Sequence, residues 1–249
     1  MIKFFRRIRQ KILTKNKPAL SAGKFSKYAA YATGEILLVV VGILIALQVN
    51  NSNQQRLDKK KEYLILEEIH TEFTFNKVEM EETQKQYSLA KDDAKKIIAL
   101  FPINPKDIDL DRLATCFSRI TFNPSFDVSK GSIESLKYAS SFEIISDAEL
   151  RTLLLRFDDL VEDYADRESR SKNFSIDYLD PYLRLHLPSP VDIGIKDPRI
   201  DLSFLATIEF ENLIKERLQK IQNFTQILED PERPLVKSVN RIIELSRVE

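Results

Sequence analysis

The residues best equipped for chemistry in this 249-residue chain are few and widely spaced. Glu67 and His70 stand three apart, the spacing at which one helix of a di-iron carboxylate bundle presents half of its ligands. A complete set needs a second such pair. The only other histidine, His186, has Leu183 three positions before it, so the second half is missing and no metal is expected. The five glycines, Gly23, Gly34, Gly42, Gly131 and Gly194, are too far apart for a dinucleotide fingerprint, a Walker loop or a nucleophile elbow. Ser129-Lys130-Gly131-Ser132 resembles a phosphate loop only superficially. Cys116 sits beside Phe117 with no histidine near in sequence, which reads as a core position rather than a reactive thiol. The acidic runs Glu79-Glu81-Glu82 and Asp158-Asp159-Glu162-Asp163-Asp166 lack the spacing of a calcium loop and read as wet helix faces. No cofactor is expected, and the chain is not read as an enzyme.

One ionisable residue lies in a costlier place. Glu35 falls inside Ala29–Val49, a segment whose run from Ile36 to Leu47 carries no polar side chain. With Tyr28 and Tyr31 on one side and Gln48 on the other, the segment reaches about 20 residues, or roughly 30 Å of helix, the thickness of a bilayer core. The tyrosines suit one interface, and Asn50, Asn51 and Asn53 meet water at the other. Gly42-x-x-x-Ala46 offers a close-packing face, with Gly34 two turns earlier on the same side. Gly34, Glu35, Gly42 and Ala46 are therefore the candidate helix-association residues. Glu35 has two readings of equal weight, an interfacial glutamate near Lys24 or Lys27 and an inter-helix contact in an oligomer.

Orientation follows from charge. The chain balances 38 basic against 38 acidic side chains. Nine of the basic ones lie in residues 1–28, and Glu35 is the first acid. Residues 36–249 then carry 29 basic and 37 acidic groups, a net of −8. A basic head before an apolar span is a topology signal rather than a nucleic-acid arm. No small-x-small cleavage site follows the span, since Ala46-Leu47-Gln48 ends in the wrong residue, and no cysteine follows to take a lipid. An uncleaved signal anchor is expected, with a basic cytoplasmic tail at 1–27, a transmembrane helix at 28–50 and an extracytoplasmic helical domain at 51–249. Ile2, Phe4, Phe5, Ile8, Ile12 and Leu13 interleave with the tail's cations, so the tail can also adsorb on an anionic leaflet.

The opening MIKFFRRIRQKIL, the run KFSKYAAYATGEILLVVVGILIALQVNNSN and the later SIESLKYASSFEIISDAELRTLLLRF resemble an uncharacterised family of single-pass membrane proteins of Bacteroidetes, a domain of unknown function. The matching positions are Tyr31, Ala32, Gly34, Glu35, Ile43, Ala46, Leu47, Gln48, Asn50 and Asn51, then Asp147, Leu150 and Arg151. Ser52 stands where that family tends to have tryptophan, and Ser141 where it tends to have glycine. The resemblance implies a Gram-negative inner membrane and a periplasmic body. It implies no activity.

The body that would hold these residues reads as long helices. No proline occurs from Ala19 to Phe101. Leu66, Phe73, Met80, Tyr87, Ala94 and Phe101 recur every seven residues, with Ile69, Asn76, Thr83, Ala90 and Ile97 as the partner row. The polar stretch 54–62 reads as a stalk, and Pro102 and Pro105 end the helix. Short helices are expected at 108–121 and 132–141. Ser146 and Glu149 predict a capping box opening a second long helix, whose stripe Leu150, Leu153, Phe157, Leu160, Tyr164, Phe174 and Tyr178 runs to Pro181. An irregular connection at 187–202 leads to a third long helix at 203–229, through Leu205, Ile208, Leu213, Ile214, Leu218, Ile221 and Leu228. A last helix carries Leu235, Val239, Ile242 and Leu245. The expected fold is all-α, an N-terminal transmembrane helix running into an antiparallel long-helix bundle.

Two functions follow. The first is a membrane-anchored interaction or scaffold module, its partners the lipid bilayer, a second copy or another membrane or periplasmic protein, and not nucleic acid. The second is a transmembrane sensor relaying ligand state from the body to the tail.

Overall fold

The computed structural model describes residues 23–187 and 200–248, and these are helical with no strand among them. The chain is all-α. The amphipathic head of the tail, residues 1–22, and the prolines and glycine of the 188–199 connection lie outside the described residues. Two compact units divide at Asp58 and Lys59.

The first helix, α1, spans Gly23–Ile98 without interruption, as the absence of proline allows. In the first unit its segment from Tyr31 to Leu57 is exposed throughout. Its most apolar 18-residue window has a mean hydropathy of 2.3 and is long enough to cross a membrane.

In the second unit α1 supplies one wall of the core. Ile69, Phe73, Asn76, Met80, Thr83, Tyr87, Ala90, Ala94 and Ile97 are all buried, and only Leu66 and Phe101 of the two predicted rows are partly covered. The remaining elements are α2 (Leu110–Thr121), α3 (Gly131–Tyr138), a 3₁₀ turn at Phe142–Ile144, α4 (Ala148–Phe174), a π turn at Ser175–Leu179 and α5 (Asp180–His186). A 3₁₀ turn at Leu202–Ala206, α6 (Ile208–Glu229) and α7 (Pro234–Leu245) complete it. Helix α4 packs against both α6 and α7.

Their apolar faces form two clusters. One joins Phe73, Tyr87, Leu154, Phe157, Phe224 and Val239 with their neighbours on α1, α4, α6 and α7. The other gathers Ile97, Phe117, Leu179, Leu183, Phe204 and Phe210, from α1's end, α2, the π turn, α5 and the start of α6. Aromatic edges lock the first cluster, with ring centroids 4.7 Å apart for Phe73–Phe157 and 4.8 Å for Tyr87–Phe224.

Several expectations are corrected. The N-cap of α4 is Asp147, whose carboxylate accepts from Leu150 N at 2.8 Å. Ser146 instead donates its own N–H to Glu62 Oε1, and Glu149 turns outward to a bidentate pair with Arg241. That hydrogen-bonded guanidinium lowers the Glu149 carboxyl below its ordinary range. The capping box fails because a carboxylate one residue closer to the helix outcompetes the hydroxyl for the orphan N–H. Asp147→Ala is accordingly expected to lower the unfolding free energy by about 1 kcal/mol, and Ser146→Ala by less than about 0.5 kcal/mol. Urea unfolding followed by circular dichroism would expose equal losses, which would restore the serine as cap.

Pro181 does not end the helical path. It lies in the first turn of α5, preceded by the π turn. Widening the backbone there relieves the clash between a proline ring and the carbonyl four residues earlier. The added residue rotates the downstream face. Leu179 is buried while Tyr178, an expected core residue, is 61 % exposed. Upstream, Leu154 takes the buried position and Leu153 and Leu160 are partly covered. Ile208, also expected inside, is 77 % exposed, because Thr207 caps α6 and the preceding residues coil as a separate 3₁₀ turn.

Candidate functional site

The residues singled out in the span stay on the surface of the chain. Gly34, Glu35, Gly42 and Ala46 are exposed on α1, and a Cβ added at Gly34 or Gly42 would meet nothing within 4 Å. Among the described residues no packing requires a glycine at either position.

The candidate metal half-site is not assembled. His70 is partly buried and bonds through Nδ1 to the Ile243 carbonyl at 3.0 Å, so that nitrogen carries the proton and ties α1 to α7. It is a structural tie rather than part of a solvated face. Among the described residues no three His, Cys, Asp or Glu side chains gather as a metal site. Cys116 is buried in the second cluster, and burial pushes its thiol up.

The loop that superficially resembles a phosphate loop is filled from within. Glu72 accepts from Ser132 N and Ser129 Oγ, both at 2.8 Å. Asn76 clasps Ser129 from both sides, accepting from its N–H and donating to its carbonyl at 2.8 Å. A carboxylate thus occupies the start of α3, where an anion is favoured. Of the acidic runs, Asp158 is not simply wet. It bridges Lys130 and Lys137, and the Lys137 hydrogen bond lowers its carboxyl below the usual range.

The most unusual group is Arg217, fully buried on α6 between the two clusters. Ile214, Arg217, Ile221, Phe224 and Leu228 follow each other at steps of three and four, so the arginine occupies a core position of an otherwise apolar face. Its acceptors are neutral. Nε donates to Ile120 O at 2.8 Å, and Nη1 to Ser171 O at 2.8 Å and to Ser171 Oγ at 3.2 Å. Nη2 reaches Asn123 Oδ1 at 2.9 Å and Phe122 O at 3.4 Å. Ile120 and Phe122 lie at the C-terminal end of α2, where carbonyls lack helical donors and the dipole favours a cation. Burial pushes the guanidinium down to about 10, still charged at neutral pH.

Polar groups gather around it. Tyr87 is buried with its hydroxyl lacking a hydrogen-bond partner among the described residues, and burial raises its phenol. Tyr164 donates to Glu168 at 2.9 Å, and Glu168 also accepts from Ser125 Oγ and Phe126 N. Asp180 is partly buried and its carboxyl is raised by that burial.

A second feature lies on the outside of α1. Leu64, Thr71, Val78 and Lys85 form one seven-residue row, and Glu68, Phe75, Glu82 and Leu89 form the next. This face is opposite the buried rows, and its apolar members are open, with Phe75 55 % and Val78 56 % exposed. No family model, curated protein or solved structure matches the chain.

Proposed function

We propose that this chain is a membrane-anchored helical interaction protein. Its span is a single signal anchor, residues 1–27 face the cytoplasm, and the body lies in the periplasm of a Gram-negative envelope. The basic head supports this orientation, and the resemblance to the Bacteroidetes family supports the compartment. The observation that carries the interaction reading is the outward face of α1. A helix that needs only one apolar face to join its own core carries a second, with Leu64, Phe75, Val78 and Leu89 exposed in solvent.

Charge narrows the partner. Glu68 and Glu82 sit in the same row as Phe75 and Leu89. Two copies of a membrane-anchored chain lie parallel, which would set each glutamate against its own counterpart. Like charges so placed oppose pairing, Glu68 above all since Glu82 pairs with Lys85 on its own helix, so the face suits a different protein whose apolar side chains are flanked by lysine or arginine. Affinity purification of the full chain from detergent-solubilised membranes, after crosslinking in place, is expected to return a discrete heterologous complex. Monomer alone, with no co-purifying protein, would remove the interaction reading. A periplasm-active reporter fused after Glu249 is expected to be active, and cytoplasmic activity would overturn the orientation.

A further inference from the structure

A cleft of about 380 Å³ opens between α4 and α6, in the size range of small-molecule pockets. Helix α4 lines it with Arg167, Arg170 and Ser171, and α6 with Lys220, Asn223 and Phe224. Three cations therefore share one concavity, and no acid is among the described residues that line it. The Lys220 ammonium stands 5.8 Å from the Phe174 ring centroid, which holds it across the gap between the two helices.

The wall behind the cleft is also positive. Ser171 lines the cleft although it is almost fully buried, and its hydroxyl and carbonyl are two of the acceptors for the Arg217 guanidinium. Phe224 lines the cleft and packs on Tyr87 and Tyr164. Arg217 is thus one hydrogen bond behind the surface. Its hydrogen-bond acceptors are neutral dipoles, and the partly buried Asp180 carboxylate offsets its charge only through space. A buried cation in a low-dielectric wall projects its field towards the water-filled side.

The cations do have carboxylate neighbours. Arg167 pairs with Asp163, Arg170 with Asp166 and Lys220 with Glu216, each one turn away on its own helix. Those acids lie outside the cleft lining and the pairs are solvent-exposed. Exposed pairs of this spacing are weak, so a multivalent anion reaching several cations at once displaces them. Guanidinium forks offer paired N–H donors matched to phosphate and carboxylate oxygens, and Asn223 adds an amide.

We propose that the α4–α6 cleft binds a small multivalent oxyanion, phosphate or carboxylate in type, held by Arg167, Arg170 and Lys220. This goes beyond the interaction role, which rests on a different face of the molecule. The test is calorimetry on the full chain in phosphatidylcholine nanodiscs, with inorganic phosphate and with citrate as probes. Binding of at least one probe is expected, weakened at least about tenfold in Kd by the double substitution Arg170→Gln/Lys220→Gln, which removes two charged contacts. Both side chains are solvent-exposed, so the variant's unfolding midpoint should match the parent's. The nine cations of the tail are untouched in that variant. Binding that survives unchanged therefore belongs to the tail and overturns the proposal. Failure of the parent to bind either probe also overturns it.

Discussion

Arg217→Met is expected to lower the unfolding free energy of the body by about 3–5 kcal/mol, because buried acceptors lose the donor that satisfies them. Methionine nearly fills the space but donates nothing. The carbonyls of Ile120 and Ser171 and the amide oxygen of Asn123 each lose a donor held at 2.8–2.9 Å. Ser171 O keeps the Ser175 N–H, but Ile120 O and Asn123 Oδ1 are left without this donor, and at about 1–3 kcal/mol for each unsatisfied acceptor these two reach the expected range. Arg217→Lys is expected to recover only part, since one ammonium cannot span acceptors on α2's end, α4 and the following loop. Urea unfolding of the full chain in detergent, read by circular dichroism, measures both. A methionine variant within about 1 kcal/mol of the parent would mean that the guanidinium is incidental, contrary to the usual cost of such a change.

The location of this node explains what could and could not be seen in the amino-acid sequence. The two seven-residue rows of α1 were legible because the absence of proline and the recurrence of Leu66, Phe73, Met80 and Tyr87 leave one helical face available to the core. The apolar span was legible for the same reason, a pattern of residue types along one element. Arg217 was not. Residue type assigns arginine to the surface, and only the step of three from Ile214 and of four to Ile221 marks it as a core position. Its acceptors lie 46 to 97 positions away in sequence, where no local rule reaches. Asn76 is the converse case. It reads as a flaw in the stripe, yet it is the residue that clasps the loop before α3. Past Phe174 the seven-residue pattern misplaces the α4 face, because periodicity assumes one helical pitch and the π turn before Pro181 changes it. The cleft leaves no local sequence signal, because its cations come from two helices some fifty residues apart and are each masked by a carboxylate one turn away.

Phe73 and Phe75 test the two-sided nature of α1 most directly, because they stand two positions apart on one helix and face opposite ways. Phe73 is fully buried against Phe157, and Phe73→Ala is expected to cost about 3–5 kcal/mol through lost burial and the cavity left behind. Phe75 is more than half exposed, and Phe75→Glu is expected to change stability by less than about 0.5 kcal/mol. Its effect should fall on association. Placing a charge among Val78, Thr71 and Glu82 desolvates badly in any interface and adds to the acidic character of the row. Recovery of the crosslinked partner from membranes should drop at least about tenfold, the change that about 1.4 kcal/mol produces. The buried glutamate would also be resistant to rescue by high salt, whereas a purely electrostatic attachment weakens with salt in the parent itself. Full partner recovery by the Phe75→Glu chain, at parental stability, would show that the outward face of α1 is only a tolerated apolar surface. Loss of stability equal to that of Phe73→Ala would show instead that Phe75 belongs to the core.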